Sequence, residues 1–288
     1  MKILLLGKNG QLGWELQRTL APLGSITPLD YEDLNLENVD EVRSTIRKLK
    51  PQVIVNASAY TAVDKAETEP EKAYAINATI PGVLAEEAKA LDSILIHFST
   101  DYVFDGRKGS TYTEKDTPNP LNIYGKSKLA GEKAIEAVSA KALTLRTSWV
   151  YSLRKGGFVN KVLEWSRSQE TMRIVSDQVA NPTWARMLAQ VTSLLLGRGG
   201  AYIAERAGLY HLAGNGYTSR YDWTKQILAL DPARHEQRVR NLLPALSTDF
   251  PTPAERPLFS ALDNSKFDED FGVKLTGWEL ALAQAMDY

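Results

Sequence analysis

Three glycines, Gly7, Gly10 and Gly13, constrain this chain more than any other feature. They follow a short apolar run at residues 2–6 and precede a segment with Leu12, Leu16 and Leu20 at helical spacing. Glycine accepts the left-handed backbone that a tight turn can require. Missing side chains also let backbone N–H groups approach an anion at the positive end of a helix. Between a strand and a helix, G-x-x-G-x-x-G is the pattern that holds a dinucleotide pyrophosphate. Asp30 ends the next strand-like run, about 20 residues beyond the turn, where an acidic residue commonly meets the adenosine ribose. A plain turn beside a solvated Asp30 is the alternative.

The first half continues as strand and helix in alternation. Short apolar runs at 2–6, 25–29, 53–55, 94–98 and 142–146 read as buried strands, with helices at 11–20, 40–49, 71–91 and 124–138. Pro81 predicts a kink or break in the third helix. Apolar strands separated by helices form a parallel sheet covered on both faces. The expected class is α/β: a doubly wound parallel (Rossmann) sheet with a smaller C-terminal substrate-binding lobe. Residues 1–150 are expected to carry the dinucleotide. Residues 151–288 are expected to form mainly the substrate lobe, with some later segments returning to the sheet. Helices are expected at 158–165, 184–196 and 221–230, and a strand at 209–212. Four prolines between 242 and 257 read as a loop. Residues 56–59, Asn-Ala-Ser-Ala, follow the third strand and leave room for a ligand or for a packed loop.

Composition removes several classes of function. Cysteine is absent, which excludes disulfides, thiolate zinc and a cysteine nucleophile. A formal net charge of -1 predicts neither a nucleic-acid nor a membrane-surface partner. No apolar run approaches a transmembrane span and no leader is apparent, so the expected location is cytoplasmic. His97, His211 and His235 are scattered, and no metal site is expected.

Tyr124 and Lys128 lie four residues apart at the start of a helical segment, on one face. A cation beside a phenol favours phenolate and so predicts a lowered Tyr124 pKa. A tyrosine tuned in this way serves as a proton donor to a carbonyl. A surface helix pair has the same spacing.

The glycine turn, the run Ser99-Thr100-Asp101-Tyr102-Val103-Phe104-Asp105-Gly106 and the Tyr124/Lys128 helix together resemble the extended short-chain dehydrogenase/reductases. Within that superfamily they resemble the dTDP-4-dehydrorhamnose reductase family. Residues 146–151 (Arg-Thr-Ser-Trp-Val-Tyr), 181–183 (Asn-Pro-Thr) and 256–257 (Arg-Pro) carry the likeness further, over nearly the whole chain. The resemblance implies NADPH or NADH as cofactor and a dTDP-sugar substrate reduced at its C4 ketone. The backbone of Gly10, Gln11 and Leu12 would meet the pyrophosphate and Asp30 the adenosine end. Asn35 and Leu36 would lie by the adenine, although Asn35 departs from the usual Asp. Ala59, Tyr60 and Thr61 would line the nicotinamide side. Thr100 would bond the reacting oxygen and, with Asp101, the sugar. Tyr124 would be the general acid, and Lys128 would hold the nicotinamide ribose and tune Tyr124. Trp149 would pack on the deoxysugar, with a core role as the alternative. Arg256 is a candidate cation for the substrate diphosphate, with a charged loop as the alternative. Some members dimerise through a metal held by acidic residues, one matching Glu15. An exposed Glu15 on the first helix is the preferred reading, and a homodimer stays open. Two other functions fit the same motifs: a different nucleotide-sugar reductase or epimerase, and a non-enzymatic NADP-binding subunit like the methionine adenosyltransferase beta subunit.

Overall fold

The computed structural model describes residues 1–138, 140–154 and 156–287. One six-stranded sheet organises it: β1 (Lys2–Leu6), β2 (Ser25–Leu29), β3 (Val53–Asn56), β4 (Ile94–Thr100), β5 (Ala142–Thr147) and a last strand, Gly208–His211. The order across the sheet is β2-β1-β3-β4-β5 and then Gly208–His211. All five neighbouring pairs are parallel. Alternate side chains leave opposite faces. Ile3, Leu5, Val55, Ile96 and Phe98 join one apolar cluster, while Leu4, Leu6, Ile54 and Leu95 join another. Burial on both faces is why these strands read as continuous apolar runs.

Helix α1 (Gln11–Leu20) covers the first face through Leu12, Leu16 and Leu20, together with residues of Ala185–Gly197 and Ser265–Phe271. Helix α2 (Val39–Leu49) covers the second, with Ile80–Ala90 and Ile123–Val138. A third cluster is built from residues 149 onward, around Tyr151, Val162, Trp223 and Trp278. After β2 the chain crosses β1 to form β3. The carboxyl ends of β1 and β3 are therefore the switch point where ligands of such sheets bind.

Two local expectations need correction. The helix expected over 71–91 begins at Pro70, runs to Tyr74, passes through a π turn at Ala75–Thr79 and continues as Ile80–Ala90. Pro81 follows the π turn directly, so the helix is irregular just before the proline, whose missing N–H cannot join a regular ladder. The proline-rich stretch is not wholly loop, because Asn241–Ala245 pairs in parallel with Thr171–Val175. This two-stranded sheet leaves each strand an unpaired edge, which accommodates Pro244. Among the described residues no helix is long and apolar enough to cross a membrane.

Candidate active site

The three glycines do different work. Gly7 has φ +85°, and a Cβ there would lie 2.8 Å from the Ala57 carbonyl carbon. A Cβ on Gly13 would lie 1.9 Å from the Gly7 oxygen, so any side chain would drive α1 off the turn. Gly10, at the N-cap of α1, would meet only the Gly7 oxygen at 3.4 Å. The first glycine makes the turn, the third brings helix and strand together, and the second leaves the helix N-terminus open to a ligand. The Gln11 side chain ties this turn to the far side of the cleft. It accepts from Ser152 N–H at 2.8 Å and donates to the Val150 carbonyl at 3.3 Å.

The Asp30 carboxylate accepts from the N–H groups of Asn9 and Tyr31, both at 2.8 Å, and so fixes the glycine turn against the end of β2. Lys8 is paired with Asp33 at 2.6 Å, which raises the lysine pKa and lowers that of the aspartate. Next to Asp30, a small pocket of about 110 Å³ is walled by Leu29, Leu34, Asn35, Leu36, Ala59 and Ile76. The Asn35 side chain accepts from Glu37 N–H at 3.0 Å and stays within its own turn.

From Gly7, Gly10, Gln11 and Leu12 a cleft of about 570 Å³ runs past Ala59 and Thr61 to Thr100, Asp101, Tyr124, Lys128 and Trp149. Tyr60 does not line it. Its N–H donates to Asn77 Oδ1 at 2.9 Å and its phenol donates to Glu69 at 2.8 Å. Asn77 sits in the π turn and also donates to Ser127 Oγ on the Tyr124 helix at 3.0 Å. A Cβ on Gly131 would lie 2.1 Å from the Asn77 oxygen, so glycine allows the two helices to meet. The Tyr124 helix is started by Asn122, which accepts from Gly125 N–H at 2.8 Å.

Thr100 ends β4. Its hydroxyl donates to Asp101 at 3.2 Å and accepts from Tyr102 N–H at 3.2 Å. Asp101 is buried and accepts from Ser260 Oγ at 2.5 Å. Burial raises its carboxyl to about 6, against the pull of Ser260 and Thr100. Thr147, opposite Thr100 in the register of β4 and β5, also lines the cleft. Its buried hydroxyl has no hydrogen-bond partner among the described residues.

Tyr124 and Lys128 both line the cleft, yet the expected electrostatics is reversed. Burial pushes the Tyr124 phenol above its usual range, opposed by contact with the Thr100 hydroxyl and reinforced by the Asp101 charge. The Lys128 ammonium instead donates to the Phe98 carbonyl at 2.6 Å beneath the cleft, and burial lowers Lys128 to about 8. The spacing of four residues fixes a shared face, but desolvation outweighs the charge. Burial thus favours the protonated phenol at Tyr124.

Trp149 has φ +39°, a left-handed backbone that a large L-residue adopts only under constraint. Its ring stacks on Trp223 at 5.6 Å, and the Arg220 guanidinium lies 3.6 Å from its centroid. Trp149 thus faces both the cleft and the third cluster. Arg220 was not visible as a candidate in the sequence. Burial lowers it to about 10, against the attraction of Tyr102 and Asp101. Arg256, the expected cation, is held instead by Asp64 through contacts at 2.7 and 3.1 Å and does not line the cleft. Glu15 is buried rather than exposed, because Arg186 pairs with it at 3.1 Å.

The RmlD substrate binding domain model matches residues 1–288. A dTDP-4-dehydrorhamnose reductase of Shigella flexneri is 42% identical over 294 residues, covering 100% of this chain and 97% of that protein. The chain belongs to the dTDP-4-dehydrorhamnose reductase family. A family structure from Clostridium acetobutylicum superposes with a TM-score of 0.92 at 35% identity, covering 100% of this chain and 99% of that one. The reductase of Bacillus anthracis, solved in complex with NADP, superposes with a TM-score of 0.90 at 31% identity, covering 99% and 98%. This chain shares its Rossmann-like fold with that structure.

Proposed function

We propose that the protein reduces the C4 ketone of dTDP-4-dehydro-L-rhamnose to dTDP-L-rhamnose at the expense of NADPH or NADH, with Tyr124 as general acid. Membership of the reductase family makes it an NAD(P)H-dependent oxidoreductase. What carries the finer reading is one observation: Thr100, Tyr124 and Lys128 share a cleft with the open glycine turn.

The dinucleotide fits the residues present. The N-terminus of α1 and the open Gly10 suit a pyrophosphate, Asp30 a ribose, and the pocket beside Leu36 an adenine ring. When bound, the reduced nicotinamide supplies the hydride. Thr100 would donate a hydrogen bond to the oxygen that gains charge, and Tyr124 would give it a proton. Asp101 and Trp149 would hold the sugar. Arg220, stacked on the cleft residue Trp149, is a second candidate cation beside Arg256 for a dianionic nucleotide. Residues 1–150 would carry chiefly the cofactor and 151–288 chiefly the sugar nucleotide.

Purified protein supplied with dTDP-4-dehydro-L-rhamnose is expected to consume NAD(P)H, and a UDP-linked ketosugar is expected to compete poorly. Equal turnover of the UDP compound would move the assignment to another nucleotide-sugar reductase. Tight NADPH binding without turnover would favour a binding subunit.

Two variants probe the halves of the cleft. Asp30 repels a 2′-phosphate, and Lys8 is engaged by Asp33 instead of offering a counter-charge. Asp30→Ala is expected to shift the kcat/KM ratio toward NADPH, and an unchanged ratio would remove Asp30 from the ribose site. Trp149→Ala is expected to raise the substrate KM far more than the cofactor KM. Equal rises, or loss of folding in a melting curve, would assign Trp149 to the core alone.

A further inference from the structure

An ion pair, Lys8 with Asp33, joins the glycine turn to the turn after β2 beside Asp30. Asp30 lines both the small pocket beside Leu36 and the main cleft, so a ribose joining an adenine in the one to a pyrophosphate in the other falls at Asp30. Each Asp30 oxygen accepts one backbone N–H, Oδ2 from Asn9 and Oδ1 from Tyr31, and each keeps a lone pair for a hydroxyl. Lys8 has a fixed backbone. Its N–H donates to the Leu29 carbonyl at 3.3 Å and its carbonyl accepts from Gln17 Nε2 at 2.9 Å, which leaves the side chain free to change partners. Asp33 is pinned from the other side. Its N–H donates to the Asp30 carbonyl at 2.9 Å, and its Oδ2 accepts from the Asp30 N–H at 2.8 Å. That same Oδ2 lies 2.6 Å from Lys8 Nζ. The Asp33, Asp30 and Glu32 charges all act on Lys8, so three carboxylates share the neighbourhood of this ammonium. The two paired side chains are 25% and 34% exposed, and a solvent-facing pair of this kind is weak enough to exchange.

We infer that Asp33 is a specificity-determining residue: its carboxylate takes on Lys8 the place that a cofactor 2′-phosphate would take, and so tilts the protein toward NADH. With a ribose diol the Lys8–Asp33 pair stays closed and Asp30 accepts the hydroxyls. A 2′-phosphate brings negative charge and strong acceptor oxygens to the same corner. For the phosphate to gain the ammonium, Lys8 has to leave Asp33. One charge-assisted hydrogen bond then replaces another, and the Asp33 charge is no longer offset. If Lys8 stays with Asp33, the phosphate meets Asp30 with no counter-charge. Either outcome disfavours the phosphate relative to the diol. The preference therefore has two parts, repulsion at Asp30 and competition for Lys8, and Asp33 governs the second. The inference rests on placing the adenosine ribose at Asp30, and it is independent of which ketosugar is reduced.

Dissociation constants for NADPH and NADH, measured on the whole protein by calorimetry with no sugar present, test this without turnover. Asp33→Ala is expected to raise the ratio Kd(NADH)/Kd(NADPH) by about 3–10-fold, with NADH affinity changed by less than about twofold. Lys8→Met completes a double-mutant cycle. In the Lys8→Met background no ammonium is left to release, and Asp33→Ala should move the ratio by less than about twofold. An equal shift in both backgrounds makes Asp33 a bare repelling charge and overturns the competition for Lys8. No shift in an Asp33→Ala protein that melts like the wild type overturns the role of Asp33 altogether. Because Asp33→Ala also strips the Asp30 N–H of its acceptor, Asp33→Asn is the second variant. It keeps an oxygen for that N–H, drops the charge, and should shift the ratio the same way by a smaller factor. If Asp33→Ala weakens NADH as well, the asparagine variant decides, and an unmoved ratio there refutes the inference. Asp30→Ala separates the premise from the inference. A ratio that answers to Asp30 but not to Asp33 keeps the ribose at Asp30 and refutes only the part given to Asp33. A ratio that answers to neither removes the ribose from this corner.

Discussion

Tyr124→Phe is expected to lower kcat by about 10²–10⁴-fold, the usual worth of a general acid, with cofactor affinity nearly unchanged. The change removes the hydroxyl and keeps the ring, which packs edge-on against Tyr102 at 5.7 Å. Because burial holds the phenol protonated, the alkaline limb of the wild-type profile should not report Tyr124 at all. Steady-state rates, cofactor titration and circular dichroism together separate chemistry from folding. A folded Tyr124→Phe protein that turns over near the wild-type rate would remove Tyr124 from the reaction.

Glu132→Ala is expected to be the most damaging single truncation for stability. Glu132 takes two hydrogen bonds from Arg146, at 2.9 and 2.6 Å, and one from Ser99 Oγ at 2.5 Å. Arg146 is 2 % exposed. Its other contacts include the His211 ring, kept neutral by burial and the Arg146 charge, and the face of Phe104, and neither is an anion. Removing the carboxylate leaves a guanidinium buried without a counter-charge, a loss of about 3–5 kcal/mol. For a chain of this size, that corresponds to a Tm lower by roughly 5–10 °C. Glu132→Gln keeps an acceptor and should lose less. A Glu132→Ala protein that melts within about one degree of wild type would mean that Arg146 finds water or another partner.

Much of the architecture was legible because its determinants are local. Residues 2–6 and 53–56 are apolar nearly end to end, which only a strand covered on both faces tolerates, and the glycines mark the one turn that must be tight. Thr100, Tyr124 and Lys128 were found from motif and spacing, and they converge because β4 and the following helix meet at the same edge of the sheet. The parts that were missed depend on partners distant in sequence. Glu15 is buried by Arg186, from the Ala185–Gly197 helix, and Arg256 is captured by Asp64. Arg220 matters because it lands on Trp149, and nothing in either local sequence announces the contact. Thr171–Val175 carries an outward Arg173 and is too short to show its pairing with Asn241–Ala245. The Tyr124–Lys128 electrostatics went astray for a different reason. Spacing gives proximity along a helix but not depth, and Lys128 lies deep enough to prefer the Phe98 carbonyl.

The central claim is hydride delivery to a dTDP-ketosugar in the cleft that holds Tyr124. It is tested most directly by following deuterium from [4,4-²H₂]-labelled NAD(P)H into the sugar. Turnover of dTDP-4-dehydro-L-rhamnose should give dTDP-L-rhamnose with one deuterium, located at C4, in stoichiometric balance with the cofactor oxidised. Oxidation of the cofactor without label at C4, or no product from a folded protein that binds NADPH, would contradict it.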